Sequence, residues 1–179
     1  MPEHTQPNAD VTTRALIERT RGGDMDALGA LFRAHSSEVF RVAWHLTASR
    51  DDAEDVVQDV FVGLPEVLRS LGDGDRLGPW LRRVAARTAL MHMRSERRRR
   101  QSPVEAACGV AAGPRDGIAR LAMSEALAAL SPEMRAVFVL KEVEGYSHTE
   151  IASMMGISVA NSEVRLHRAR HKLRTILGG

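Results

Sequence analysis

Between Tyr146 and Arg174 the sequence runs YSHTEIASMMGISVANSEVRLHRARHKLR, which joins two helix-start signals to a dense set of basic side chains. Ser147 can cap a short helix that turns Ile151, Ala152 and Met155 inward, and Gly156 supplies the left-handed residue that ends it. Ser158 is a second N-cap, opening a helix whose inward stripe is Leu166, Ala169 and Leu173. A short helix, a glycine-containing turn and a longer basic helix make a helix-turn-helix, whose second helix enters the major groove with its N-terminal residues toward base edges. On this reading Ser158, Asn161, Ser162, Glu163, Arg165 and Arg168 face DNA. Phosphate neutralisation, which dominates affinity, falls to Arg165, Arg168, Arg170, Lys172 and Arg174. The plainer alternative is an amphipathic helix pair with a solvated basic face.

Two further clusters are of opposite sign. Asp51–Asp59 holds five acids and no base, while Arg82–Arg100 holds eight arginines against one acid, Glu96. Asp52, Glu54, Asp55, Gln58 and Asp59 lie on or beside one exposed helix face, which could pair with arginines of a partner helix or simply be solvated. A divalent-metal site is the weaker reading, because such sites draw ligands from several elements and no companion His or acid motif is evident. No metal and no cofactor is expected. Trp80 either supports base stacking or anchors its helix in the core, and Phe32, Phe40 and Trp44 are expected in the core. Arg97–Arg100 reads either as a nonspecific electrostatic patch or as a specific contact, and His148, His167 and His171 as polar surface residues rather than ligands.

The elements that must position these groups are all helical. Leu28, Leu31, Phe32, His35, Val39, Val42, Ala43 and Leu46 recur at three- and four-residue steps, as do Ala53, Val56, Val57, Val60, Phe61, Leu64, Leu68 and Leu71. Pro65 lacks the donor for the carbonyl one turn back and is expected to kink the second of these helices. SLGDGDRLGP at 70–79 reads as a loop, and a third helix follows with Leu81, Val84, Ala85, Thr88 and Met91 inward. From about Arg97 to Gly117 periodicity fades among Pro103, Gly109, Gly113, Pro114 and Gly117, so a linker is expected there. Patterning resumes at Ile118, Leu121, Ala122, Leu127 and Leu130. Ser131, Pro132 and Glu133 then form a helix start, with Met134, Val137, Phe138 and the Lys141 stem inward. The predicted fold is all-α: a tail and helix start at 1–24, a helical domain at 25–97, a flexible linker at 98–117 and a helix-turn-helix domain at 118–179.

Composition narrows the class. The 179 residues are 44% hydrophobic but only 4% aromatic, as in small bundles built on Leu, Val, Ala and Met. A net charge of +2 conceals the segregation just described, which assigns different partners to different faces. The single cysteine, Cys108, excludes an internal disulfide and fits a reducing compartment. No apolar run is long enough for a membrane span, and MPEHTQPNADVTTR lacks the apolar core of a signal peptide, so a cytoplasmic protein without membrane insertion is expected.

EIASMMGIS followed by RLHRARHKLR resembles the DNA-binding domain of sigma factors, specifically the extracytoplasmic-function group of the sigma-70 family. DDAEDVVQDVF at Asp51–Phe61 resembles that group's polymerase-binding helix, and WLRRVAARTALMHMR at Trp80–Arg94 its element for the melted promoter region. The resemblance spans nearly everything from Leu28 to Leu177. It implies a non-enzymatic initiation factor whose partners are RNA polymerase core, through the clamp helices of the large subunit, promoter DNA and an anti-sigma factor. It further implies that Asp52, Glu54, Asp55, Gln58 and Asp59 contact polymerase. Trp80, Arg82, Arg83, Arg87 and Arg94 would contact the melted element, and the loop Leu71–Leu77 would capture a flipped base. Departures are Ser162, where the family often has an apolar residue, and Glu163, where it often has a basic one. Arg87 and Met91 stand where many relatives carry Asn and Asp. A helix-turn-helix regulator acting without polymerase is the alternative. The chain ends directly after the DNA-reading helix, so no appended regulatory domain is expected.

Overall fold

The computed structural model describes residues 7–69, 76–101 and 118–178, which form helices and no strand. Helix α1 (Pro7–Arg21) precedes α2 (Met25–Thr47), α3 (Arg50–Leu68) and α4 (Leu77–Gln101). The C-terminal half comprises α5 (Ile118–Ala128), α6 (Pro132–Phe138), α7 (His148–Met155) and α8 (Val159–Leu177). After α6 the helix widens into a π-helical turn, Val139–Val143, closed by the Glu144 N–H on the Val139 carbonyl at 3.0 Å.

Local chemistry sets the helix ends. The Asp24 carboxylate accepts from the N–H groups of Asp26 and Ala27 at 2.9 and 3.0 Å, capping α2. These bonds and the Arg19 guanidinium hold its pKa below the usual carboxylate value. Ser49 caps α3, its hydroxyl accepting from the Asp52 N–H at 3.3 Å, and Ser131 caps α6 with Pro132 in the first turn. Between α2 and α3 the chain reverses through Ala48 at φ 53°, a left-handed conformation that an L side chain adopts only where the surroundings hold it.

Helices α2, α3 and α4 pack together with α1 laid across α2 and α3. α1 is an extra element beyond the expected tail and helix start: Ile17 is buried in the core, and Arg21 Nε donates to the Leu68 carbonyl at 2.8 Å. The buried stripe of α4 is Leu77, Leu81, Ala85, Ala86, Ala89 and Leu90, whose three alanines allow close approach of the neighbouring helices. Met91, expected inward, is 63% exposed, because that stripe turns it outward. Phe32 is likewise exposed, standing edge-on to Phe61 at 4.9 Å rather than inside the core. Helix α4 continues through 98–101, positions that composition assigns to the linker, since arginine is a good helix former. α3 runs on through Pro65 to Leu68. Linker positions 102–117 with Cys108, loop positions 70–75, and the side chains of Ile118 and Leu121 lie outside the described residues.

The two halves share one buried cluster, reaching from Val42, Leu64 and Leu81 to Leu130, Val137 and Leu173. At the junction Arg135 is buried, and sequence periodicity gave no sign of it. Its Nε donates to the Leu46 carbonyl at 2.9 Å and its terminal nitrogen to the Thr47 carbonyl at 2.8 Å. These are carbonyls of the last turn of α2, the negative end of its dipole. Burial lowers the Arg135 pKa, yet a guanidinium keeps its charge at neutral pH. Trp44 Nε1 adds a second link, to Ser124 Oγ at 3.2 Å. Arg135→Met keeps the stem but leaves two carbonyls unpaired. A loss of about 2–3 kcal/mol in urea unfolding is expected, with the halves unfolding in separate steps.

Candidate functional site

The chemistry-bearing residues occupy three surfaces. On α3, Asp52 is half-buried and Glu54, Asp55, Gln58 and Asp59 are exposed, but the helix divides them between two sides. Glu54 and Gln58 border a long apolar groove walled by Met25, Leu28, Phe32, Phe40, Trp44, Phe61 and Met123. Asp52 and Asp55 line a separate depression together with Met91, His92, Arg94 and Arg97 of α4. Asp59 is held by His92 Nε2 at 2.8 Å, and Glu54 by Arg50 at 2.7 Å. The groove is a feature that the pattern of charge along the sequence does not reveal. Its signal was present in Met25 and Val62, exposed apolar residues that the helical stripes leave outside.

On α4, Trp80 is half-buried and packs against the core, while Arg83, Arg87 and Arg94 are exposed. At 100° per residue these three arginines share one face. Arg82 points elsewhere, donating to Glu38 at 3.0 Å and lying 3.8 Å from Glu144. Glu144 is held up in pKa by burial, against the pull of Arg82 and Arg41. Burial also raises the Tyr146 pKa, with Arg83 and Arg87 close enough to oppose the shift. Arg94 donates to the Met154 carbonyl of α7, and Arg97 pairs with Glu133 at 3.2 Å. Several α4 arginines are thus already engaged by the C-terminal half.

The third surface is α7–turn–α8. Ser147 and Glu150 make a reciprocal cap: the carboxylate accepts from the Ser147 N–H at 2.8 Å, and the hydroxyl accepts from the Glu150 N–H at 3.2 Å. The Ser147 N–H and the Ser147 hydroxyl, the latter at 2.7 Å, both donate to the Glu150 carboxylate and lower its pKa. Gly156 stands at φ 66° and ends α7. The Ser158 hydroxyl then accepts from the Asn161 N–H at 3.1 Å and starts α8. Ser158, Asn161, Glu163 and Arg168 are exposed, and Arg165 is half-buried. Ser162 is not available to DNA, because it faces inward and is fully buried. Val159 and Val164, off the inward stripe, are exposed instead. Arg170 and Lys172 are engaged by Glu142 and by the Ala129 carbonyl, each at 2.6 Å. Arg165, Arg168 and Arg174 make no ion pair among the described residues. No group of three His, Cys, Asp or Glu side chains converges there as a metal site.

The sequence matches the family model for sigma-70 region 2 over residues 31–99 and that for sigma-70 region 4 over 120–173. It is 35% identical over 169 residues to the RNA polymerase sigma factor CarQ of Myxococcus xanthus, covering 90% of this chain and 95% of that one. The chain belongs to the sigma-70 family, in its extracytoplasmic-function group. The extracytoplasmic-function sigma factor SigE of Mycolicibacterium smegmatis is 30% identical over 183 residues, covering 96% of this chain and 70% of its own length. Among solved structures, CnrH in complex with the cytosolic domain of CnrY matches with a TM-score of 0.54 at 28% identity, over 93% of this chain and 97% of that one. The fold also matches the sigma factor RpoE of Bartonella quintana, solved with the anti-sigma factor NepR. There the TM-score is 0.60 at 22% identity, over 84% and 96% of the two chains. This sigma factor therefore directs RNA polymerase to promoters for initiation and binds promoter DNA. Sigma factors are non-catalytic subunits. No helix among the described residues is long and apolar enough to cross a membrane.

The groove also has a titratable wall. His45 lines it with Nδ1 buried and without a hydrogen-bond partner among the described residues. Burial, helped by Arg41, lowers the His45 pKa below 6.5, and burial does the same to His35 despite Glu38. A histidine depressed in the folded state contributes stability above its unfolded pKa, and that stability is lost as pH falls through 6.5 toward the folded value. The urea midpoint should therefore decline between roughly pH 7 and 5.5. The decline should be shallower in His45→Gln, and the difference between the two curves isolates His45 from Glu144, whose raised carboxyl has the opposite slope.

Proposed function

We propose that this sigma factor divides its contacts among these three surfaces. Both sides of α3, with Asp52, Asp55 and Asp59 on one and Glu54 and Gln58 on the other, bind the clamp helices of the large polymerase subunit. Arg83, Arg87 and Arg94 of α4 follow the melted strand, and the first two turns of α8 read the upstream element. The observation that carries this reading is the separation itself. An acidic face beside an apolar groove and a basic helix start on a capped turn sit on different helices of one chain. Promoter engagement by α4 exchanges the Arg94 and Arg97 contacts within the chain for phosphates, so binding should weaken steeply with salt. The apolar groove suits a partner helix laid between α2 and α3, as an anti-sigma factor would supply. The chain has no catalytic residues of its own and works in the cytoplasm alongside polymerase.

Run-off transcription with purified core polymerase tests the whole. Promoter-specific transcripts are expected only when this protein is present, and DNA binding by the isolated protein with no polymerase requirement would favour a stand-alone regulator. Within that assay, Asp52→Lys with Asp55→Lys should weaken core binding tenfold or more, as measured by fluorescence titration. The associated loss of stability should be small, about 1 kcal/mol, because of the two only Asp52 leaves the first turn of α3, at the positive end of its dipole. Glu163, placed to accept from a cytosine amino group, should govern promoter choice. Glu163→Ala is expected to reorder promoter preference, and an equal loss on every promoter would overturn that role.

A further inference from the structure

The first inward position of the DNA-reading helix is a hydroxyl. The inward stripe of α8 runs Ser162, Leu166, Ala169 and Leu173, and Ser162 has no exposed surface. A hydroxyl closed between two helices is unfavourable unless it is hydrogen-bonded. Here its partner is His148, whose Nδ1 lies 2.9 Å from Ser162 Oγ. His148 is the first residue of α7, directly after the Ser147 cap, and the bonds between Ser147 and Glu150 hold that end of the helix. At its other end α7 joins α8 through the tight turn at Gly156, where the Ile157 N–H donates to the Ala152 carbonyl at 3.1 Å. The start of α8 is therefore tied to α7 at two points, the covalent turn and the His148–Ser162 bond.

The two kinds of tie differ physically. Apolar packing at position 162 would be non-directional and would tolerate small rotations of α8. A hydrogen bond holds donor and acceptor within a few tenths of an ångström and within a limited angle. Asn161 and Glu163 flank Ser162 in the same turn and are exposed. Any rotation that strains the bond also moves both of them relative to base edges.

We infer that His148 and Ser162 form a positioning pair that sets the angle of the α8 N-terminal turn and so determines which bases Asn161 and Glu163 reach. This rests on the reading that α8 enters the major groove. Ser162 acts from inside the seam, without touching DNA.

The test uses full-length protein assembled with core polymerase and a duplex library randomised across the upstream element. The preference for the selected sequence over its single-base variants is measured for wild type, His148→Ala, Ser162→Ala and the double variant. Each single change should alter the preference ratio about three- to tenfold, and the double variant should match either single one, since both remove the same bond. His148→Asn, which places an amide close to where Nδ1 stood, should restore the wild-type preference. His148→Gln, whose amide reaches instead toward the Nε2 position, should not. Thermal unfolding of each variant separates positioning from folding. Additive effects of the two alanine changes would overturn the pair. So would a uniform loss on all sequences, or a fall in stability with the preference unchanged. A wild-type holoenzyme with no preference in the library would instead show that α8 does not read DNA, which overturns both readings.

Discussion

The arrangement depends most on one buried cation. Arg135 joins the halves by donating to the carbonyls of Leu46 and Thr47, which the end of α2 would otherwise leave unpaired inside the protein. A lysine could not serve both acceptors in the same plane, because the guanidinium presents a fixed fork of donors. The contact has two sides to its chemistry. It completes α2 and, through the reversal at Ala48, fixes where α3 begins and hence where the acidic face points. It also brings α6, and behind it the helix-turn-helix, against the first domain. Around it the core is continuous from Ile17 to Leu173.

Charge is used in two ways on this frame. Some arginines are structural: Arg135 within the junction, Arg21 on the end of α3, and Arg82 between Glu38 and Glu144. Others are held only by exposed partners, as with Arg97 and Glu133 or Arg170 and Glu142. Exposed pairs are weak, about 0–1 kcal/mol, so a polyanion can take over those side chains at little cost. The same +2 net charge therefore accommodates both a held-together protein and one able to bind nucleic acid.

Much of the frame was legible in the residues. The caps at Ser131, Ser147 and Ser158, the left-handed Gly156 and the inward stripe Leu166, Ala169, Leu173 all stand where local rules place them. These are short-range effects, each decided within one or two helical turns. Less legible were α1, whose apolar content is slight, and the outward turns of Phe32 and Met91. Periodicity says which residues share a face but not how wide the covered part of that face is. The acidic residues of α3 were expected on or beside one exposed face, but Asp52 is half-buried and the set is divided between a groove and a depression, which depends on where α2 and α4 lie.

The sequence by itself determined most of the helices, the caps at Ser131, Ser147 and Ser158, the segregation of charge and the helix-turn-helix, because capping, turn chemistry and periodicity act between near neighbours. Only the tertiary structure decided the fate of Arg135, Ser162 and the α4 arginines. Their partners lie far away along the chain: Leu46 and Thr47 for Arg135, His148 for Ser162, and Glu38, Glu133 and the Met154 carbonyl for the arginines of α4. A polar side chain reads alike in sequence whether water or a buried acceptor satisfies it. Packing alone distinguishes the two, since it removes the water.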